Sequence, residues 1–300
     1  MENIIVPKEY DYYGRKKLIE GLCEKYKFIR HSIIGKSCAG KGISALKIGS
    51  SDSYALIVGG VHGSERITST VILMFIEELC EAFKSDGYLA DIKVTKALRG
   101  RGVIFVPCLN PDGCDISLLG KKACGEFAQK NEALCRGDFA HWNANLRGVD
   151  LNHNFDAGWK ELHKKEQELG IVGPSPTRFG GFKPHSEPET VAITELCERV
   201  NIRHSMALHS QGEVIYWNYG NKTLPKSRKM GEILATSSGY ALDIPISIAN
   251  GGGFKDWFIE KFSRPGFTVE IGKGKNPLPI EMAESIYNQI KEMLMLYIIM

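Results

Sequence analysis

The sequence predicts an α/β fold: a three-layer sandwich in which a mixed, mostly parallel and twisted sheet is flanked by helices. Strands and helices alternate, because an apolar run typical of a buried strand over 54–60 precedes a strongly amphipathic helix over 68–83. The chain has 300 residues, of which 43% are hydrophobic, so it can bury a large core. No internal repeat or low-complexity segment divides it, and we expect one domain over residues 1–300.

The other elements follow from the same periodicities. Alternating or continuous apolar residues predict strands over 31–36, 43–48, 101–109, 206–209, 213–218 and 267–271. Helical spacing predicts further helices over 13–27, from Ser186, and from about Ile280. At the second of these, Ser186 is the predicted N-cap, Pro188 falls in the first turn, and Glu189 is the predicted capping-box residue.

Two segments carry no regular period. The residues from Asn110 to Gly113 read Asn-Pro-Asp-Gly, which is typical of a turn that closes the preceding strand. The segment 114–184 is rich in glycine and polar residues, and we expect it to be largely irregular. Loops of this length inside a compact domain usually carry function.

Composition and charge exclude several classes of protein. The net charge is only +3, and no basic run is interleaved with aromatic residues, so we expect no nucleic-acid partner. The first residues do not resemble a secretory signal, and the apolar C-terminal helix carries too many charges to span a membrane. We therefore expect a cytoplasmic protein whose eight cysteines, none in a Cys-x-x-Cys pair, are reduced thiols.

Candidate metal ligands follow two of the predicted strands. His62 and Glu65 come three residues apart after the strand at 54–60, and His209 ends the short apolar strand at 206–209. Two histidines and a glutamate with an open fourth position are the ligand pattern of a catalytic zinc. The alternative is that each histidine is a satisfied structural residue, which is the commoner role of a single histidine.

A candidate general base lies on the last predicted strand. Strand alternation places Thr268, Glu270 and Gly272 on one face and three apolar residues on the other. A carboxylate in an otherwise apolar strand needs a partner or a function, and the small residues beside Glu270 leave room for a substrate. The alternative is an exposed glutamate on an edge strand.

A polar cluster occurs in the segment 147–155, where hydrogen-bonding side chains are closely spaced: Asp150, Asn152, His153 and Asn154. Ordinary turn chemistry explains Asp and Asn in such a segment. Together with the residues above, however, the cluster makes the sequence recognisable.

The chain resembles the zinc carboxypeptidase family, the carboxypeptidase A-like metallopeptidases. The matching segments, in family order, are HGSE at 62–65, NPDG at 110–113, GVDLNHNFDAGW at 148–159, LHSQG at 208–212, KDWF at 255–258 and FTVEIG at 267–272. The phrases WNANLRGVDLN and GGFKDWF are similar to the bacterial branch that cleaves γ-D-glutamyl–diamino acid bonds in peptidoglycan stem peptides.

The resemblance implies a carboxypeptidase-like fold and one Zn²⁺ per chain, held by His62, Glu65 and His209, with Glu270 as general base. It also exposes departures from the family pattern. His153 replaces the arginine that grips the terminal carboxylate of the substrate, and a histidine cannot form the same two-pronged contact. Asn152 beside it still offers an amide to that carboxylate.

Two further family positions differ. The arginine that stabilises the oxyanion has no secure match: alignment gives Asn143, with Arg136 and Arg147 as nearby alternatives, of which we favour Arg147. The mobile tyrosine has no counterpart where the chain reads Ile-Ala-Asn at 248–250. Lys255 occupies the position that lines the pocket for the departing residue, so it predicts an acidic group there. The alternative is a solvated surface lysine.

The leading hypothesis is therefore a zinc peptidase that cleaves the γ-D-glutamyl–diaminopimelate bond of a small peptide or muropeptide inside the cell. A metallocarboxypeptidase that removes acidic C-terminal residues is the first alternative, and a zinc amidohydrolase that deacylates amino acids is a more distant one. A non-catalytic peptide-binding protein on the same fold is the alternative from a different class. The sequence leaves the oligomeric state open.

Overall fold

The computed structural model describes residues 3–244 and 250–300. Its strands are Arg30–Lys36 (β1), Gly42–Gly49 (β2), Tyr54–Val58 (β3), Tyr88–Leu89 (β4), Ile92–Lys93 (β5), Gly102–Val106 (β6), Ile202–His209 (β7), Val214–Tyr216 (β8), Ala241–Asp243 (β9) and Gly266–Glu270 (β10). Its helices are Tyr12–Lys25 (α1), Ile67–Lys84 (α2), Val94–Ala97 (α3), Pro111–Leu119 (α4), Ala128–Cys135 (α5), Trp159–Glu168 (α6), Pro188–Arg199 (α7), Pro225–Ser238 (α8), Phe254–Phe262 (α9) and Ala283–Ile299 (α10).

The large sheet is mixed and mostly parallel, as predicted. Its strand order is β1-β2-β6-β3-β7-β10-β8-β9, and β4 pairs with β5 in a separate small hairpin. The four central strands, β6, β3, β7 and β10, run parallel to one another, whereas β1, β2 and β8 pair antiparallel with their neighbours toward the centre. Central strands are buried on both faces, which is why β3 and β6 read as continuous apolar runs.

Helices cover both faces of the sheet, which confirms the three-layer prediction. On one face Ile57 of β3 belongs to a buried cluster with Phe75 of α2 and Leu294 of α10. On the other face Leu56 belongs to a second buried cluster, which includes residues of α7 and α9 such as Trp257. Neighbouring residues of β3 thus point into different cores, as strand alternation requires.

The prediction of a simple turn from Asn110 to Gly113 is wrong, because this segment begins α4. The Asn110 side chain caps the helix by accepting a hydrogen bond from the Gly113 N–H at 2.9 Å, and Pro111 occupies the first turn. Asparagine followed by proline suits a helix start as well as a turn, since proline at the first position has no N–H to leave unsatisfied.

The segment 114–184 is more ordered than expected. It contains most of α4 and all of α5 and α6, together with short 3-10 turns. It also has a small apolar cluster of its own, centred on the fully buried Trp142 and including Ile116 and Leu146. The expectation of a largely irregular segment is therefore corrected.

The predicted capping of α7 is also wrong in detail. Pro188 is in the first turn, but the N-cap residue is Glu187 rather than Ser186, and it makes no side-chain cap. The Ser186 hydroxyl donates to the Glu187 carboxylate instead, at 2.8 Å. The Glu189 carboxylate reaches across to the loop after β1, where it accepts from the Cys38 N–H at 3.0 Å. Contacts with a distant loop thus replace the local capping box.

All eight cysteines are free thiols, five of them buried. Among the residues described, none of the helices combines the length and the apolar character needed to cross a lipid bilayer.

Candidate active site

The structure brings His62, Glu65 and His209 together at one edge of the sheet. β3 and β7 are neighbouring parallel strands, with Val58 opposite Ala207, so their carboxyl ends meet there. His209 is the last residue of β7, and His62 follows β3 after three residues. A single 3-10 turn over Gly63–Glu65 then returns the chain so that the Glu65 carboxylate faces both imidazoles.

Close backbone packing holds this turn in place. A Cβ atom at Gly63 would lie 2.3 Å from the carbonyl oxygen of Trp142 and 2.4 Å from that of Gly113, so only glycine fits. The Gly63 N–H donates to the Asn143 carbonyl at 3.0 Å. Asn110, the cap of α4, donates from its amide to the Val61 carbonyl at 3.1 Å. The metal-binding segment is therefore anchored to α4 and to the residues around 143.

The three side chains have the geometry of a metal site. The Nδ1 atoms of His62 and His209 each lie 3.0 Å from a Glu65 carboxylate oxygen, and 3.2 Å from each other. These three residues can each offer one ligand atom, all within 4.8 Å of one another. Ligands at ~2.0–2.1 Å from a tetrahedral zinc are about 3.3 Å apart. The donor set and its spacing thus fit a zinc ion.

Asp150 orients the first of these histidines. The Nε2 atom of His62 lies 3.1 Å from the Asp150 carboxylate, which also accepts backbone N–H groups of Asn152 and Arg178 at 3.1 and 2.8 Å. A histidine that binds a metal commonly donates its second ring N–H to a carboxylate in this way. Sequence analysis gave Asp150 no role of this kind. In the sequence Asp150 is one of several polar residues in the segment 147–155, and it lies 88 positions from His62.

Burial and charge oppose each other at this cluster. Burial disfavours a charged imidazole, but the Glu65 and Asp150 carboxylates outweigh it and hold the pKa of His62 well above its ordinary value. Burial likewise works to raise the pKa of Glu65, but His62 and His209 lower it to about 2. The buried carboxylates therefore favour a positive charge between them.

Glu270 lies beside the three ligands on β10. It is directly opposite His209 in the parallel pairing of β10 with β7. β10 is an interior strand, with β8 on its other side, so the alternative of an exposed glutamate on an edge strand is wrong. Burial first, and the negative charge of Glu65 second, raise the pKa of Glu270 to about 8.

A cavity opens between Glu270 and α9. Its lining residues come from five separate segments of the chain: His62, Asn152, His153, Tyr216, Gly251, Gly253, Lys255, Asp256, Thr268 and Glu270. Six residues that the sequence analysis named, including Thr268, therefore line the same cavity. Tyr216 on β8 and Asp256 on α9 were not predicted as lining residues. In the sequence they are a single aromatic residue in a short strand and a single acidic residue in a helix, and neither pattern indicates a site.

Lys255 is buried at the edge of this cavity. Only 4% of its surface is exposed, so the alternative of a solvated surface lysine is wrong. Its ammonium group donates to the Asn218 carbonyl at 2.9 Å and forms an ion pair with the neighbouring Asp256 carboxylate. The charge of Lys255 is thus already partly balanced before any substrate binds.

Asn152 and His153 line the same cavity. The Asn152 side-chain oxygen accepts from the Phe254 N–H at 3.0 Å, which leaves the amide NH₂ as its donor. The His153 Nδ1 atom lies 2.8 Å from a Glu166 carboxylate oxygen, so Nε2 is the ring nitrogen that can contact a substrate. Both predicted substrate-binding residues are therefore in contact with the space next to the metal ligands.

The structure does not bring Arg147 to this cavity. Half of its side chain is exposed, and its guanidinium lies 3.7 Å from the Glu187 carboxylate. Arg136 is exposed too, at the end of α5. Asn143 does not line the cavity either, but its side-chain oxygen accepts from the Ser64 hydroxyl within the metal-binding turn. Residues 248 and 249, where the family tyrosine has no counterpart, lie outside the described part of the chain.

The chain is similar in sequence to known proteins of one family. A family model described as Peptidase_M14, zinc carboxypeptidase, matches residues 16–294. Gamma-D-glutamyl-L-diamino acid endopeptidase 1 of Lysinibacillus sphaericus is 33% identical over 287 residues, 94% of this chain and 70% of that protein. Murein peptide amidase A of Escherichia coli K12 is 26% identical over 209 residues, 67% of this chain and 64% of that protein.

The chain is also similar in fold to a solved carboxypeptidase-like structure. The structure of bovine thrombin-activatable fibrinolysis inhibitor, in complex with tick carboxypeptidase inhibitor, superposes with a TM-score of 0.75 at 19% identity. The match covers 97% of this chain and 96% of that one. At this identity the similarity shows the fold alone.

Proposed function

Because the chain belongs to the zinc carboxypeptidase family, we propose that it hydrolyses the γ-D-glutamyl–diaminopimelate bond of peptidoglycan stem peptides. Family membership makes it a metallopeptidase, which sets aside the non-catalytic peptide-binding alternative. The choice of substrate rests on two named relatives, a γ-D-glutamyl-L-diamino acid endopeptidase and a murein peptide amidase. The observation that carries the proposal is the convergence of His62, Glu65 and His209 beside a cavity that contains Lys255.

The metal-binding roles follow from the donor set. His62, Glu65 and His209 would hold the zinc, with Asp150 fixing the ring of His62. When bound, zinc supplies a Lewis acid that polarises the scissile carbonyl and lowers the pKa of the attacking water toward ~7.

The proton transfers belong to Glu270. Its carboxylate faces the cavity beside the ligands, where it can accept a proton from the attacking water and later deliver that proton to the leaving amine. The negative oxygen that develops on the scissile carbon needs a hydrogen-bond donor. We assign that contact to the Asn143 amide rather than to Arg147. The bond with Ser64 occupies the side-chain oxygen of Asn143 and leaves its NH₂ group as a donor beside the metal-binding turn.

The substrate contacts follow from the lining of the cavity. Asn152 and His153 would bind the α-carboxylate of the diaminopimelate, in place of the arginine found elsewhere in the family. Lys255 would bind the second carboxylate at the end of its side chain, since a buried cation is a strong partner for an anion. Diaminopimelate is the residue of stem peptides that carries both groups.

The proposal is tested with L-Ala-γ-D-Glu-meso-diaminopimelate and the zinc-loaded protein. We expect release of free diaminopimelate, detected by mass spectrometry, and no release after chelation of the metal. If the fully loaded protein leaves the peptide intact, the substrate assignment is wrong.

Lys255 also favours a second candidate, a carboxypeptidase that removes acidic C-terminal residues from ordinary peptides. The same assay separates the two functions when a panel of α-linked peptides ending in glutamate, lysine or phenylalanine is included. Faster cleavage of the glutamate-ending peptide than of the γ-linked peptide would favour this second function.

A further inference from the structure

Glu166 is a buried carboxylate behind the wall of the active-site cavity. It lies on α6, and none of its surface is exposed to solvent. One carboxylate oxygen contacts the Nδ1 atom of His153 at 2.8 Å, and the other contacts the Nδ1 atom of His163 at 3.0 Å and the Gly180 N–H at 3.2 Å. Glu166 thus joins a histidine that lines the cavity to a histidine that does not.

The surroundings of Glu166 determine which ring nitrogen carries a proton. Among the described residues, its ion-pair partners are the two histidines, and no lysine or arginine is within 4.0 Å. An ionised carboxylate only accepts hydrogen bonds, so when Glu166 is ionised each Nδ1–H group donates a hydrogen bond to it. His153 is therefore fixed with hydrogen on Nδ1, and Nε2 is left for another partner.

Residues around α6 pack against two of the partners of Glu166, His163 and Gly180. Trp159 stacks on His163 with the ring centroids 4.6 Å apart and the planes within 12°, and its indole N–H donates to the Gly180 carbonyl at 3.0 Å. A Cβ atom at Gly180 would lie 2.5 Å from the His153 carbonyl oxygen. Only glycine fits at position 180, and the backbone there lies between α6 and the backbone of His153.

We propose that Glu166 is the positioning residue that makes His153 a binding group for the α-carboxylate of the substrate. This inference rests on the proposed function, because it concerns the same cavity. An arginine is always charged and brings its own fixed fork of donors, whereas an imidazole must be held in one orientation by a second group. Glu166 does this from behind: an imidazolium at His153 has its inner N–H paired with Glu166 and directs its Nε2–H to the substrate.

The test compares Glu166→Gln with the parent protein on two substrates. One is L-Ala-γ-D-Glu-meso-diaminopimelate with a free α-carboxylate, and the other has that carboxylate converted to an amide. We expect the KM of Glu166→Gln for the free acid to rise about tenfold, because a charge-assisted hydrogen bond is replaced by a neutral one. The KM for the amide and both kcat values should remain within about twofold of the parent values.

A matched control is available on the same helix. Glu168 is exposed, so Glu168→Gln removes the same charge from α6 without touching His153, and we expect no change with either substrate. In the His153→Gln background, Glu166→Gln should cause no additional rise in KM if it acts through His153. Equal effects on both substrates, an effect on kcat alone, or no effect would overturn the proposal.

A spectroscopic measurement on the parent protein keeps the inference independent of turnover and of the folding of the variant. Nitrogen-15 spectra of the imidazole rings should show His153 protonated at Nδ1, and its Nε2 resonance should move when free meso-diaminopimelate is added. A ring protonated at Nε2 alone, or no response to diaminopimelate, contradicts the role of Glu166. Failure of the parent to cleave either peptide with this spectrum intact contradicts the proposed function instead.

Discussion

At the scale of single residues, Glu270 differs from the metal ligands in what its removal should do. Glu270→Gln keeps the size of the side chain but can no longer accept the proton of the attacking water. We expect kcat/KM to fall by at least about 10²-fold, a typical effect of losing a general base, while zinc content stays at the parent level. The exposed Glu260 on α9 provides a control, and Glu260→Gln should be fully active. Activity of Glu270→Gln within twofold of the parent would rule out Glu270 as the base.

Substitutions of Asn143 and Arg147 show which of the two side chains stabilises the oxyanion. Asn143 is bonded to Ser64 of the metal-binding turn, whereas Arg147 is half exposed beside Glu187. We expect Asn143→Ala to lower kcat about 10²-fold, and Arg147→Ala to leave it within a few-fold of the parent. Single-turnover kinetics of the two variants decide the assignment, and the reverse ranking would restore Arg147.

Lys255 should discriminate between two natural forms of the substrate. Peptides that end in meso-diaminopimelate or in lysine differ by one carboxylate at the end of the side chain. We expect the parent to favour the diaminopimelate peptide about tenfold in kcat/KM, and Lys255→Gln to lose that preference. Lys261→Gln, which changes an exposed lysine of the same helix, is the control. An unchanged preference in Lys255→Gln would show that the ammonium does not bind the substrate and contacts only Asn218 and Asp256.

The sequence indicated some of these residues better than others. His62, Glu65, His209 and Glu270 could be found because each lies at or just beyond the carboxyl end of a predicted strand, where ligand-binding residues of α/β folds gather. Asp150 and Glu166 could not be found in this way. Their functions depend on contacts with His62 and His153, and a buried carboxylate in an irregular or polar segment has no local signature.

At the scale of elements, the apolar strands and the helices α1, α2, α7 and α10 were predictable because their periodicity is strong. α4 was missed because Asn-Pro suits both a turn and a helix start. α6 was missed because its composition is polar: Leu162 and Glu166 are its only fully enclosed residues, and one of them is charged. The cap of α7 was misassigned because Glu189 is engaged by Cys38, which is 151 positions away.

The burial of Glu189 predicts a pH dependence of stability. Burial raises the pKa of Glu189 from 4.5 to about 7. A folded-state pKa above the unfolded value stabilises the fold below about pH 4.5, and this stabilisation is lost as the pH rises through 7. We expect the free energy of unfolding of the parent to fall by on the order of 3 kcal/mol between pH 4.5 and pH 8. Glu189→Gln should not show this fall.

Urea unfolding at pH 4.5 and pH 8 measures this difference. The exposed Glu195 lies on the same helix, so Glu195→Gln should change with pH as the parent does. The same pH dependence in the parent and in Glu189→Gln would mean that the carboxyl of Glu189 titrates normally.

At the scale of the whole molecule, the active site depends on the order of the strands. The metal ligands come from the ends of β3 and β7, and the base comes from β10. These strands are consecutive neighbours in the sheet but far apart along the chain, since β3 ends at Val58, β7 begins at Ile202 and β10 begins at Gly266. The alternation of strands and helices was enough to predict a layered sheet. It was not enough to predict which strands are neighbours, since that depends on long-range pairing. The extent of the single domain, 1–300, stays a prediction.

A second group of potential ligands gives the central claim a clear competitor. Cys38, Glu187 and Glu189 also lie within 4.8 Å of one another, but the Asn145 amide donates to both carboxylates and to the thiol. These three acceptors are therefore already satisfied by one amide. At His62, Glu65 and His209 the corresponding contact is weaker, because the Asn276 amide donates to Glu65 only, at 3.4 Å.

Anomalous X-ray diffraction at the zinc absorption edge, from crystals of the zinc-loaded protein, tests this account most directly. We expect one strong peak per chain, within ~2.0–2.2 Å of His62, Glu65 and His209, and its loss in His209→Gln. A peak at Cys38, Glu187 and Glu189 alone, or no peak in fully loaded crystals, would contradict the assignment of the metal centre and the mechanism built on it.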